Sequence, residues 1–317
     1  MKYYVLTYLA AFSCVAAAQS SSTIFTRDLN GNVVSGPTTD TTATPTDRST
    51  TELSQSLNGR TVPLERTENR VISDSPSKKI TESIVRKYNP EGQVISTERT
   101  VTEEEPRANG STARATVYRT DVNGNTVEAE RRTIEKQTQG STTTTGTTVQ
   151  RPDINGSFQT TEKRDLVTSV QGDLTRNSET VYRPSVNGNL DEAVRDTSET
   201  RKTGNQTVVS TAYYEPDANG RMQLSSQTAA TTTTSPDGSE VTTLNIYGRN
   251  LAGVAREANP SQALQEQQTI SRSKRADGSV VQTTSVRRPT INDPNSLGAP
   301  STISETVCKG KCDPPKP

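Results

Sequence analysis

The chain has 317 residues, with 36 acidic and 36 basic side chains and no histidine. The balanced charge gives no electrostatic case for nucleic acid or an anionic surface. The missing imidazole excludes Ser-His-Asp and Cys-His catalysis and histidine metal sites. Only 28% of residues are hydrophobic and 4% aromatic, so a thick core is out of reach and disorder competes with folding.

Residues 1–18 (MKYYVLTYLAAFSCVAAA) predict a cleaved signal peptide: Lys2, a short apolar run from Val5, then Ala16-Ala17-Ala18 before Gln19. That run is short for a bilayer crossing, and no later stretch is more apolar. The expectation is an exported chain without a membrane span: secreted, periplasmic or at the cell surface. Residues 19–50 hold one turn-like stretch, Asp28 to Gly31, and a Thr/Pro/Asp tract with no apolar periodicity, which reads as a flexible segment.

A repeat domain is expected over 51–300. YRTDVNG (118–124), QRPDING (150–156), YRPSVNG (182–188) and YEPDANG (214–220) are copies of one unit, and Gly92, Gly124, Gly156, Gly188 and Gly220 recur every 32 residues. Asn123, Asn155, Asn187 and Asn219 precede four of these glycines. Asn-Gly supplies the positive φ of a hairpin turn, and a preceding Asp accepts turn N–H groups. Proline at 152, 184 and 216 forbids a helix through the stretch. Half a period later come weaker turn signals, such as Gln139-Gly140, Gln171-Gly172 and Thr203-Gly204. One repeat therefore holds two turns and two strands of about 10–13 residues. Threonine-rich arms suit strands. Apolar residues two before the glycine (Val122, Ile154, Val186) and two after it (Val94, Phe158, Leu190) read as thin apolar strips. Adjacent pairs Glu98-Arg99, Glu130-Arg131 and Glu162-Lys163 point to opposite faces, so both faces carry charge. The fold class is all-β: an elongated antiparallel meander of 32-residue double-strand repeats with disordered termini, stabilised by cross-strand pairs.

Residues 251–273 break the pattern, and SQALQEQQ (261–268) reads as one short helix or an irregular insertion. The segment 301–317 is expected to be a flexible tail carrying a small Cys308–Cys312 disulfide. Glu103-Glu104-Glu105 reads as a solvated loop. Asp121-x-Asn123-x-Asn125 is explained by turn chemistry without calcium, since the closing carboxylate of a calcium loop is missing. No cofactor or metal is expected, and no enzymatic activity. Tyr118, Tyr182, Tyr214 and Tyr247, with Arg119, Arg151 and Arg183, form a stripe at equivalent repeat positions. It suits either a binding surface for sugar or peptide, or the seam of the sheet.

Tyr214-Glu-Pro-Asp217-Ala-Asn-Gly220-Arg221-Met222 resembles the Tyr-Asp-x-x-Gly-Arg-Leu core of the RHS/YD repeat family, and Asp121/Gly124 and Asp153/Gly156 keep the same spacing. The resemblance implies an exported β-hairpin repeat at a bacterial surface. The expected function is a secreted structural or surface-adhesive protein. The alternatives are a polysaccharide- or cell-wall-binding module and a self-assembling fibre subunit. The partner is unknown, an extracellular polymer or a second copy of the chain.

Overall fold

The computed structural model describes residues 18–27, 33–44, 47–57, 60–121, 124–248, 263–290 and 297–310. They form β1 (Ala18–Arg27), β2 (Val33–Thr44), β3 (Arg48–Leu57), β4 (Arg60–Ser75), β5 (Lys78–Tyr88), β6 (Val94–Arg107), β7 (Gly110–Thr120), β8 (Thr126–Gln139) and β9 (Thr142–Pro152). The second half supplies β10 (Phe158–Gln171), β11 (Leu174–Pro184), β12 (Leu190–Thr203), β13 (Gln206–Pro216), β14 (Met222–Thr234), β15 (Glu240–Gly248), β16 (Ala263–Lys274), β17 (Val280–Arg287) and β18 (Ser301–Gly310). Every strand pairs antiparallel with its chain neighbours, and β1 also pairs with β18, Thr23 opposite Val307. The meander closes into an 18-stranded barrel.

Closure corrects the elongated, open sheet expected from the sequence. It also recruits the segments read as flexible: all of β1 but Ala18, and the whole of β2, fall in 19–50, and β18 lies within the supposed tail. Residues 263–268 belong to β16, where pairing with β15 and β17 overrides their helix preference. Glu103, Glu104 and Glu105 sit inside β6 rather than in a loop. Residues 1–17, where the leader was expected, lie outside the described residues, as do Asn123 and Cys312.

The two rims differ. At one rim the repeated motif makes a three-residue loop. In 153–157 the Gly156 N–H donates to the Asp153 carbonyl (3.0 Å), and the Asp153 N–H donates to the Ser157 carbonyl (2.8 Å). Asp153 Oδ1 accepts the N–H groups of Asn155 (2.8 Å) and Ser157 (2.9 Å). Gly156 alone takes a positive φ, 83°, which L side chains resist. Ile154 and Val186, expected in an apolar strip, stand on the turn tips fully in solvent. At the opposite rim, Gly140, Gly172 and Gly204 open two-residue turns with φ near 58–59°, as type II′ geometry requires. The start of β1 and the end of β18 both lie at this short-turn rim.

Each of the nine hairpins that turn at the Asn-Gly rim carries one β-bulge, always on its second strand. Ala129 in β8, Thr161 in β10, Ala193 in β12 and Ser225 in β14 are the extra residues. A bulge adds twist and bend, and a ring of nine bends the sheet round to meet itself. Substantial contacts run only between sheet neighbours. Among the described residues no strand packs across the barrel.

Candidate functional site: the two faces of the wall

Register assigns each strand residue to one of two faces, here called the valine face and the tyrosine face. The valine face holds Val117, Val149 and Val181, each seven before its turn glycine and at most 7% exposed. Opposite Val117 and Val149 stand Glu130 and Glu162, each six after its glycine. This buried row was missed in the sequence because the apolar positions two from the glycine drew attention instead. Its signal was the recurrence of valine at the seventh place.

The glutamates are clamped across the seam between hairpins. Glu130 accepts from Arg132 and from Arg151 (2.8 Å). Glu162 accepts from Arg164 (2.6 Å) and Arg183 (3.2 Å), and Glu98 from Arg119 (2.7 Å). Arg119, Arg151 and Arg183 were expected to line a binding stripe. The structure places them in these clamps instead, on the opposite face from the tyrosines.

The tyrosine face carries the complementary contact. Tyr118, Tyr182, Tyr214 and Tyr247 share it at one level near the Asn-Gly rim, with Tyr88 and Phe158 alongside. The basic residues seven after Gly92, Gly156 and Gly188 face the tyrosine of the next hairpin. The Arg99 guanidinium lies 5.4 Å from the Tyr118 ring centre and Lys163 Nζ 5.6 Å from that of Tyr182, while Arg131 covers Phe158 at 3.9 Å. Arg195 stands opposite Tyr214. Neighbouring Glu-Arg residues thus reach opposite faces, and successive hairpins are stapled on both. Bulges leave a further mark: Arg131 pairs with Glu128 (2.6 Å) and Arg195 with Glu192 (2.8 Å). In a regular strand, residues three apart face opposite sides. The extra residue between them brings both to one side.

Both faces stay polar along their length. Glu82 is buried between Arg70 and Arg99 on the tyrosine face, and Glu130 between its arginines on the valine face. Neither face is an unbroken apolar belt, and whichever one lines the interior makes a polar wall. No group of metal-ligating side chains occurs among the described residues. The turn carboxylate of Asp153 is engaged by backbone N–H donors. Cys308 lies on β18 opposite Ser22 and Val280, while its expected partner Cys312 is outside the described residues.

The barrel resembles solved porins. A mutant porin of Rh. blastica aligns over 93% of this chain and 99% of its own, with TM-score 0.53 and 7% identity. OccK10 (OpdN) of Pseudomonas aeruginosa aligns over 94% and 99%, with TM-score 0.56 and 8% identity. OccK3 (OpdO) of the same organism covers 92% and 93%, with TM-score 0.53 and 9% identity. The fold is porin-like. No protein-family model matches the sequence, and no curated protein does.

Several expectations are thereby corrected. An open RHS/YD-type meander is replaced by a closed barrel. A fibre subunit needs free strand edges, and closure removes them. The secreted, structural or adhesive reading, with its polysaccharide-binding alternative, gives way to a fold whose solved examples are porins. The expectation of no membrane span rested on the lack of a long apolar run. No described helix is long and apolar enough to cross a membrane, but a barrel crosses with strands.

Proposed function

We propose that this chain is a porin-like pore of the outer membrane that passes small hydrophilic solutes through a polar lumen. The observation that carries the reading is a closed, even-numbered antiparallel barrel with no described strand packed across it. Barrels of this strand number leave an aqueous channel rather than a side-chain core. With strands ~4.8 Å apart and tilted ~40°, 18 strands enclose a backbone cylinder roughly 35 Å across. Of the eight connections at the rim where β1 starts and β18 ends, six span two or three residues and two span five, the pattern of the periplasmic side of such barrels. Strands of 8 to 16 residues bracket the 9–11 or so needed to cross hydrocarbon at a slant. Much of the charge on the wall is held in ion pairs at 2.6–3.2 Å rather than as lone groups, which lowers the cost of bringing it near lipid.

Planar-bilayer recording tests the reading. Residues 19–317, refolded in detergent and added to a bilayer, are expected to give stepwise, ohmic conductance increments. Absence of steps, together with recovery of the protein in the aqueous phase of a Triton X-114 separation, would overturn it.

A further inference from the structure

The tyrosine row takes no part in the proposed conduction, and its chemistry identifies a contact of its own. We propose that the tyrosine face is the outer surface of the barrel, and that the row with its stacked cations seats against the phosphate-bearing headgroup layer of a bilayer. This rests on the pore reading above.

Two independent observations place this face outside. The first is crowding. Val62, Val117, Val149, Val181, Ala230 and Val286 are buried and all lie on the valine face. With Ala113, Ala115 and Glu130 they make nine buried strand residues on that face, against four on the tyrosine face, Ser54, Glu82, Thr112 and Val281. In a curved sheet, side chains converge on the concave side.

The second is handedness. Lys202, on the valine face of β12, donates its N–H to the Asp173 carbonyl beside β11 at 3.0 Å. In a strand of L-residues running upward with the side chain toward the viewer, the N–H points to the viewer's right. Seen from the valine face with the short-turn rim uppermost, the chain therefore winds leftward. Seen from the tyrosine face, it winds rightward. Register meanwhile drifts toward the Asn-Gly rim. Thr197, nine past Gly188, faces Ala212, which faces Gln227, only seven past Gly220. Barrel strands lean up to the right when viewed from outside, following their right-handed twist, so a rightward step along the hydrogen bonds descends. Rightward winding and descent coincide only if the tyrosine face is outermost.

On that face the rings form a ring of their own. Tyr118, Tyr182 and Tyr214 each stand six before a turn glycine, hence at one height, and Phe158 fills the place between the first two. An amphipathic ring prefers the boundary between hydrocarbon and headgroups. The cations over the rings, Arg99, Arg131 and Lys163, complement headgroup phosphate.

The chain has no tryptophan, so a single one reports its own surroundings. Tyr213 and Tyr214 are adjacent on β13 but face opposite ways. Tyr214→Trp and Tyr213→Trp variants of residues 19–317 are reconstituted in phosphatidylethanolamine/phosphatidylglycerol vesicles, with and without bromine on the upper acyl chain. Tyr214→Trp is expected to lose most of its emission to the brominated lipid. Tyr213→Trp is expected to resist it and yield to aqueous iodide. Phe158→Trp repeats the outer measurement should Tyr214→Trp fail to fold. The reverse pattern would overturn the face assignment while leaving the pore reading intact. Conduction without lipid quenching of any variant would overturn the headgroup contact alone. Loss of both conduction and quenching would sink the pore reading and this inference with it.

Discussion

Glu130 offers a direct measure of how the hairpins are held together. Its carboxylate is 1% exposed and accepts from two arginines that are 43% and 55% exposed. Removing one partner of a fully buried pair typically costs about 3–5 kcal/mol, most of it from the charge left stranded. Here the arginines return to water when the carboxylate is deleted, so that stranding is largely avoided. What is lost is two charge-assisted hydrogen bonds, less the desolvation the carboxylate no longer suffers, a net of about 2–3 kcal/mol for Glu130→Ala. Glu162, 17% exposed with two arginines, should lose about 1–2 kcal/mol. Glu98, 37% exposed with Arg119 half in solvent, should lose under about 1 kcal/mol. Urea unfolding of the detergent-refolded barrel, followed by far-UV circular dichroism, gives each value from the midpoint shift at constant slope. A double-mutant cycle with Arg151→Ala isolates the pair. Equal losses at the three glutamates, or the largest at Glu98, would refute the idea that burial of the clamp sets its strength.

Other consequences follow from the turns. Gly156→Ala forces a side chain into φ 83° and should cost about 1–2 kcal/mol. Gly146→Ala, where the nearest atom is 3.7 Å away and φ is ordinary, should cost nothing or stabilise by a few tenths in the same assay. Asp237 and Asp277 at the short-turn rim are held below the usual carboxylate range. For Asp237 the leading cause is the Ser239 backbone N–H, and for Asp277 the Ser279 hydroxyl. A depressed folded pKa contributes stability that is complete above the unfolded value near 3.9 and is lost as pH falls through the folded value. The urea midpoint of the wild type should therefore fall more steeply below about pH 4 than that of an Asp237→Asn/Asp277→Asn variant. Parallel curves would show that these bonds do not stabilise the fold. Succinimide closure at Asn155, Asn187 and Asn219 needs the following glycine nitrogen, whose N–H is bonded to the carbonyl three residues back at 2.9–3.0 Å. Peptide mass spectrometry should find deamidation slower in the folded barrel than in urea, and equal rates would mean the turns open freely.

Much of the wall could be read from the chain, and the reasons for the failures are specific. The 32-residue spacing of Gly124, Gly156, Gly188 and Gly220 gave two strands per unit, and the Glu-Arg adjacency gave charge on both faces. The partners of those charges escaped notice, although Glu98 and Arg119 recur at the spacing of Glu130 and Arg151. Folding the sequence about each turn glycine would have paired them. Bulges carry no such signal. Ala129, Thr161 and Ala193 are ordinary strand residues, marked by neither glycine nor proline, and period-two reasoning passes over them. Closure was least legible of all, because the β1–β18 seam is built from Ser21, Ser22 and Thr23 against Val307, Cys308 and Lys309. Those stretches have the composition of linker and tail, and their strand state exists only in the pairing.

The register drift has a geometric corollary. Between the regular repeats, each hairpin brings two strands and shifts the hydrogen-bond path by two residues. Lean depends on the ratio of total shift to strand number, so that ratio hardly changes when a repeat is gained or lost. The wall is built like a cask from interchangeable staves, each cut with the same bevel and pegged to the next on both sides. Gene duplication or deletion of one 32-residue stave would widen or narrow the bore by about a ninth, while every peg and every angle stays as it was.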